Sequence, residues 1–226
     1  MLWDKPQRRC FQRLKTGFHW HKGEILRFLT LNTIPDMKKG ISECYSDLYK
    51  RIRRLTPMKL YQDGYVSKSQ LRNQYAGTSL NENLSFDYIK IRTSEGPSGV
   101  LHILYFGDFL PQRWLKENWH AITGGSNSAF IKMCRRPVYN EKRLAGYCIE
   151  QYCISQNKDV GCSAFEGYSW SRDWAYKGFS KDWEVQKALV GTDNREMLFE
   201  SWNDWLDRCK RGPPPWLQLP LEVEYT

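Results

Sequence analysis

No hydrophobic run in this sequence is as long as a membrane-spanning helix, which needs about 20 apolar residues. The first residues also lack the apolar core of a secretion signal. Cysteine occurs in an odd number, seven, at irregular spacings, which is not the pattern of a disulfide framework. These absences predict an intracellular, cytoplasmic protein with reduced thiols and no membrane partner.

Acidic side chains are too few to balance the basic ones. The chain has 34 Lys and Arg against 25 Asp and Glu, which gives a net charge of +9 at pH 7. Such an excess indicates an acidic partner, most often nucleic acid. The length and the hydrophobic content of 41% fit one domain with an appendage. We predict a basic N-terminal arm at 1–23, a core at 24–180, and a C-terminal helical extension with a tail at 181–226.

The order of hydrophobic patterns along the core predicts the fold class. Apolar runs rich in β-branched and aromatic residues predict strands, and apolar residues at helical spacing predict helices. Their order favours an α+β fold with a central, largely antiparallel sheet and helices packed on it. The predicted strands are 25–33, 84–91, 99–107 and 129–133, and the predicted helices are 41–55, 111–119 and 141–156.

One histidine, His102, interrupts the apolar strand 99–107. A buried imidazole is stable only when it is hydrogen-bonded or bound to a metal. The turn residues 96–99 allow Glu95 and His102 to face each other from the two arms of a hairpin. A carboxylate and an imidazole supply part of a site for Mg²⁺ or Mn²⁺. The alternative is a core histidine whose ring is satisfied by a backbone carbonyl.

Basic and aromatic residues form three groups that suit nucleic-acid binding. The first lies at the end of the first predicted helix, where cations either complement the helix dipole or face DNA. The second follows the fourth predicted strand. The third lies in the aromatic segment 165–174, whose rings either stack bases or form an edge of the core. The candidate DNA-binding residues are Lys50, Arg51, Arg54, Arg135, Arg136, Trp170, Arg172 and Trp174.

Two pairs of residues have more than one interpretation. As alternate residues of a strand, His19 and His21 would share a face and bind a metal. In a basic arm, such a pair is more typical of a solvated or phosphate-contacting surface. Tyr147 and Tyr152 lie five residues apart on the predicted helix 141–156, so their side chains point about 140° apart. Only one of the two tyrosines can therefore face a given site.

These motifs, in this order, resemble the HUH endonucleases, which include rolling-circle replication initiators of plasmids and single-stranded DNA viruses. Residues 28–31 fit the first family motif, an apolar strand with a threonine. Glu95, Gly99 and His102 fit the glycine turn and histidine strand, and Tyr152 fits the tyrosine helix. The Gly-Val-Leu-His and Ser-Trp-Ser segments are similar to those of archaeal plasmid and virus initiators.

The resemblance implies a Rep-like core, similar to the RRM sheet, and a DNA-nicking activity. Tyr152, or Tyr147 as the next candidate, would attack a phosphate of single-stranded or origin hairpin DNA and form a covalent 5′-phosphotyrosine. Glu95 and His102 would bind Mg²⁺ or Mn²⁺, with Thr30 supporting them. Host replication proteins would be further partners.

The sequence departs from the family pattern at two motifs. The second family histidine should lie two residues from the first, where this chain has Leu104 or Val100. Gln151 stands where the family prefers lysine. The departures favour an alternative, a non-catalytic DNA-binding protein on the same scaffold. A third interpretation is an RNA-binding protein that uses the aromatic surface.

Overall fold

The computed structural model describes residues 5–21, 23–37, 39–93, 98–134 and 165–174, all within one compact unit. The predicted helix 141–156 and the predicted extension 181–226 lie outside these ranges. No described helix is long and apolar enough to cross a membrane. The helices are α1 (Lys5–Trp20), α2 (Ile41–Ile52), α3 (Pro57–Gln62), α4 (Lys68–Gln74) and α5 (Gln112–Thr123). The strands are β1 (Arg27–Asn32), β2 (Phe86–Thr93), β3 (Val100–Gly107), β4 (Ala129–Met133) and β5 (Phe165–Trp170).

The five described strands form one open sheet in the order β4-β1-β3-β2-β5, and every neighbouring pair is antiparallel. With α2 between β1 and β2 and α5 between β3 and β4, the connectivity is β-α-β-β-α-β, to which β5 adds an edge strand. Each helix therefore connects two parallel strands that have a third strand between them, as in a split βαβ unit. The predicted α+β class with an antiparallel sheet is confirmed.

Local sequence signals explain where several elements begin and end. The buried residues of α2 recur at helical spacing. Thr56 caps α3 just before Pro57, and Ser67 forms a capping box with Gln70 at the start of α4. At the end of β3, Gly107 has φ 126°, and a Cβ there would overlap the backbone of Ser85. Glycine is therefore needed where β3 turns towards α5.

Alternate residues of β3 point to opposite sides of the sheet. We call the side of Leu101, Ile103 and Tyr105 the helix face, because these residues join α2 and α5 in the main hydrophobic core. We call the opposite side, which carries His102 and Phe106, the His102 face. Both sides are covered at this strand, so residues 100–106 are all buried. This double burial explains why β3 is apolar at nearly every position rather than alternating, with His102 as the exception.

The N-terminal segment, expected as a basic arm, contains the 16-residue helix α1. Its Cys10, Leu14 and Phe18 are buried. The ring of Phe18 lies 6.4 Å from that of Phe106 in an edge-to-face contact, which places α1 on the His102 face. Because an amphipathic helix gains most of its stability from tertiary packing, this contact stabilises α1 more than its local sequence does.

Candidate functional site on the His102 face

His102 lies at the centre of the sheet. It belongs to the middle strand, β3, and its neighbours across the sheet are Thr30 on β1 and Ile91 on β2. Ile91 is in turn paired with Tyr168 on β5, and Thr30 with Phe130 on β4. One row of five residues therefore crosses the whole sheet with the imidazole in the middle.

The imidazole of His102 is enclosed by neighbouring side chains. Its Nδ1 lies 3.5 Å from Oγ1 of Thr30, a long hydrogen-bonding contact in which the tautomer decides the donor. The ring stacks on Phe28 at 5.8 Å and 9°. Only 5% of the residue is exposed, and burial lowers the pKa of His102 to about 3. The ring is therefore neutral at physiological pH, which is the form that can accept a hydrogen bond or bind a metal ion.

The described residues do not form a divalent-metal site. No group of three or more His, Cys, Asp and Glu side chains in the described ranges is arranged to hold an ion. His102 supplies a single imidazole, whereas Mg²⁺ and Mn²⁺ prefer several oxygen ligands. Glu95, the carboxylate predicted to complete the site, lies outside the described residues. The metal site predicted from Glu95 and His102 remains a prediction.

The β5 edge of the His102 face carries an arginine among aromatic rings. The guanidinium carbon of Arg13, on α1, lies 3.9 Å from the ring centroid of Trp170, and Arg13 also hydrogen-bonds Tyr168. Tyr168 and Trp170 stack at 5.5 Å. Burial lowers the pKa of Arg13, although Tyr168 opposes this shift. Trp170 is 38% exposed, so part of its ring remains available to a ligand.

Trp174, predicted as a DNA contact, is a core residue. It is 0% exposed, and its indole Nε1 donates a hydrogen bond of 2.9 Å to the backbone carbonyl of Arg13. Its ring contacts Phe18 and Phe106, and a Cβ at Gly17 would overlap the indole. Since no part of the ring is accessible, Trp174 cannot stack a base in this structure. It holds α1 on the sheet instead.

His21 also has a structural role here. Its ring stacks on Phe106 at 4.6 Å. Nε2 donates to the carbonyl of Asp173 at 3.1 Å, and Nδ1 lies 3.0 Å from Oε1 of Glu24. His19 is the penultimate residue of α1, so the strand geometry by which His19 and His21 would share a face is absent. Both ring nitrogens of His21 are engaged by protein atoms, which does not favour a metal or phosphate contact.

The basic candidates on α2 are separated from His102 by the sheet. Lys50, Arg51 and Arg54 are exposed at the end of a helix that packs on the helix face. Nζ of Lys50 lies 3.3 Å from Oδ1 of Asp47, and Arg51 donates a hydrogen bond of 2.7 Å to Asn118. A DNA strand that crosses His102 therefore does not touch these cations.

The remaining predicted residues are placed as follows. Arg172 is exposed just after β5, next to the half-exposed Trp170. The sequence did not single out Arg13 as a site residue, because its partners are more than 150 positions away and no local pattern predicts that contact. Five predicted residues lie outside the described ranges: Glu95, Arg135, Arg136, Tyr147 and Tyr152.

Comparisons with known proteins identify no relative. No protein-family model matches the chain, and no curated protein or solved structure is significantly similar to it.

Proposed function

We propose that this protein nicks single-stranded DNA through a tyrosine and thereby initiates replication, as the resemblance to HUH endonucleases implies. The observation that carries the proposal is the position of His102. It lies on the middle strand of an antiparallel sheet and faces away from α2 and α5. The β-α-β-β-α-β connectivity supports a Rep-like, RRM-like core.

The proposed reaction exchanges one phosphodiester for another. The tyrosine hydroxyl loses its proton and its oxygen attacks a DNA phosphorus, while the bond from phosphorus to O3′ breaks and O3′ takes up a proton. The products are a 5′-phosphotyrosine on the protein and a free 3′-hydroxyl that can prime synthesis. Because the bond formed resembles the bond broken, the step is readily reversed, which suits strand transfer. Host replication proteins would extend the primer.

We assign Tyr152 as the nucleophile and Tyr147 as the next candidate. β4 and β5, which flank the segment containing both tyrosines, lie at opposite edges of the sheet. The proposal requires one tyrosine of that segment to reach the His102 face. Glu95 and His102 would hold Mg²⁺ or Mn²⁺, which would offset negative charge on the phosphate.

A covalent-adduct assay tests the proposal. Single-stranded DNA labelled at its 3′ end should become attached to the protein, because the 5′-phosphotyrosine retains the downstream fragment. Tyr152→Phe removes only the hydroxyl and should abolish the adduct, whereas the control Tyr147→Phe should retain it. Chelator should block the parent protein. An adduct formed equally by both variants would exclude Tyr152, and the absence of any adduct with Mn²⁺ would exclude nicking.

A second function, non-catalytic binding of single-stranded nucleic acid, is favoured by one specific observation. The described residues contain no group of three metal-ligating side chains, yet the His102 face carries Phe28 and the half-exposed Trp170. Aromatic rings beside cations bind single strands by stacking, without a metal. Tight binding of oligonucleotides without an adduct would support this function. Competition between DNA and RNA of one sequence would identify the preferred strand.

A further inference from the structure

The C-terminal end of α2 forms a basic surface, which we define as Lys50, Arg51, Arg53 and Arg54. Lys50 and Arg51 belong to the last turn of α2, Arg53 is its C-cap, and Arg54 follows in a turn. Ile52, which lies between them in the sequence, is fully buried in the core. All four cations are exposed. The end of the helix and the turn after it therefore present four exposed positive charges close together in the sequence.

Local partners neutralise only part of this charge. Lys50 contacts Asp47, and Arg51 donates to the neutral amide of Asn118. Arg53 and Arg54 form no ion pair with any described residue. Cations in the last turn suit a helix dipole, but that interaction falls off within the turn and does not require two further arginines beyond it.

The chain that follows α2 is also basic. Residues 50–83 contain seven Lys and Arg against two Asp and Glu, so this stretch carries five of the nine net positive charges. The basic surface thus lies at the start of a positively charged stretch of the chain. A polyanion is the partner that such a charge distribution attracts.

The basic surface is separate from the His102 face. α2 shares one hydrophobic core with Leu29, Leu31 and Leu101, which belong to the helix face. The aromatic residues of α2, Tyr45 and Tyr49, turn inward and contact Tyr88. The exposed side of this helix end therefore offers point charges without aromatic rings, unlike a single-strand site, which combines both.

We propose that the basic surface binds the phosphate backbone of duplex DNA, independently of its sequence, while the His102 face holds the single-stranded segment. Duplex DNA presents one negative charge per roughly 1.7 Å of axis in a regular array, so several phosphates lie within reach of a cluster of exposed cations. An origin hairpin has both kinds of DNA, a duplex arm and a single-stranded part. The inference rests on the proposed function in taking DNA as the partner, but it needs no nicking.

Binding of a labelled duplex and of oligo(dT), each over a range of salt concentrations, tests the inference in the full chain. The variant Arg53→Gln/Arg54→Gln should bind the duplex at least about tenfold more weakly, because two phosphate contacts are lost. Its plot of log K against log salt should become less steep by about 1.8. Binding of oligo(dT) should stay the same, and so should the melting temperature. Arg53→Lys/Arg54→Lys keeps the charge and should bind the duplex nearly as well as the parent.

The control variant Lys132→Gln/Arg172→Gln removes the same charge elsewhere. Lys132 is paired with Phe28 across β1 and β4, so it belongs to the His102 face, and both residues are exposed. This control should weaken oligo(dT) binding more than duplex binding.

Equal losses of binding to both DNAs in the two variants would show a general charge effect and overturn the inference. Competition by polyglutamate as strong as that of duplex DNA would indicate an acidic protein as the partner instead. The adduct assay tests nicking separately, so the proposed nicking function and the proposed duplex binding can each fail without the other.

Discussion

The two faces of the sheet are built from the same strands but bury different chemistry. On the helix face, Leu101, Ile103 and Tyr105 join a continuous hydrophobic core with α2 and α5. On the His102 face, the same strand supplies an imidazole, and α1 adds the buried Arg13. A buried polar group costs free energy unless it is paired. The helix face is therefore a hydrophobic core, whereas the His102 face combines polar and aromatic groups, and the proposed function places the reaction there.

Neighbouring residues of β3 give the largest expected difference between the faces. His102→Ala should abolish nicking while leaving most of the stability and DNA binding. Ile103→Ala, one residue away on the helix face, should cost about 2–5 kcal/mol of unfolding free energy. The fraction of the Ile103→Ala variant that remains folded should still nick DNA. Nicking assays and denaturant titrations of both variants make the comparison. Full nicking by His102→Ala would show that the His102 face is not the active one.

Two buried tryptophans, one packed on each face, allow a matched comparison. Trp119 and Trp174 are both 0% exposed, and each indole donates to a backbone carbonyl, of Asn32 and Arg13 respectively. Substitution of either by alanine should cost about 3–5 kcal/mol. The two substitutions should affect different parts of the molecule, because Trp174→Ala releases α1 whereas Trp119→Ala weakens the main core. Limited proteolysis should cut α1 selectively in Trp174→Ala, and equal protection of α1 in both variants would argue against this role.

The contact between α1 and Trp174 gives a smaller expected effect. A Cβ at Gly17 would overlap the indole of Trp174, so Gly17→Ala should destabilise the protein by about 1–3 kcal/mol. Adding Trp174→Phe should make the double variant more stable than the sum of the single effects, since the smaller ring leaves room. Thermal unfolding of the four proteins measures this coupling. Strict additivity would mean that the two residues do not touch.

The pH dependence of stability gives the smallest expected effect. Folded His102 has a pKa of about 3, whereas an unfolded histidine titrates near 6.5. Between these values only the unfolded chain binds the extra proton, so stability falls as pH falls below about 6.5. From about pH 7 to about pH 5.5 the loss should be about 1 kcal/mol. Denaturant titrations with chelator present should show a smaller loss in His102→Gln, and an unchanged loss would mean that another group is responsible.

Strong local patterns predicted much of the fold. The apolar run of β3 and the helical spacing of α2 gave elements whose observed bounds differ from the expected ones by a few residues. The short helices α3 and α4 were not predicted, since six and seven residues are too few for a clear hydrophobic period. Their caps at Thr56 and Ser67 were the available signal.

The candidate site was predicted only in part. Burial of His102 follows from the apolar residues on both sides of it, and that much was visible in the sequence. The same aromatic segment gave two opposite outcomes, a half-exposed Trp170 and a fully buried Trp174. No local pattern separates these two tryptophans, because α1, more than 150 residues earlier, contacts both but leaves only Trp170 partly exposed.

The sequence by itself determined the type of the strongly patterned elements, such as β3 and α2, together with the antiparallel α+β class and the excess of positive charge, because these depend on composition and on near neighbours in the chain. Only the tertiary structure decided which side of the sheet each residue faces. It placed α1 on His102's side and the basic end of α2 on the other. The physical reason is that a face is defined by what packs against it, and contacts such as that between Arg13 and Trp174 join residues that no local pattern connects.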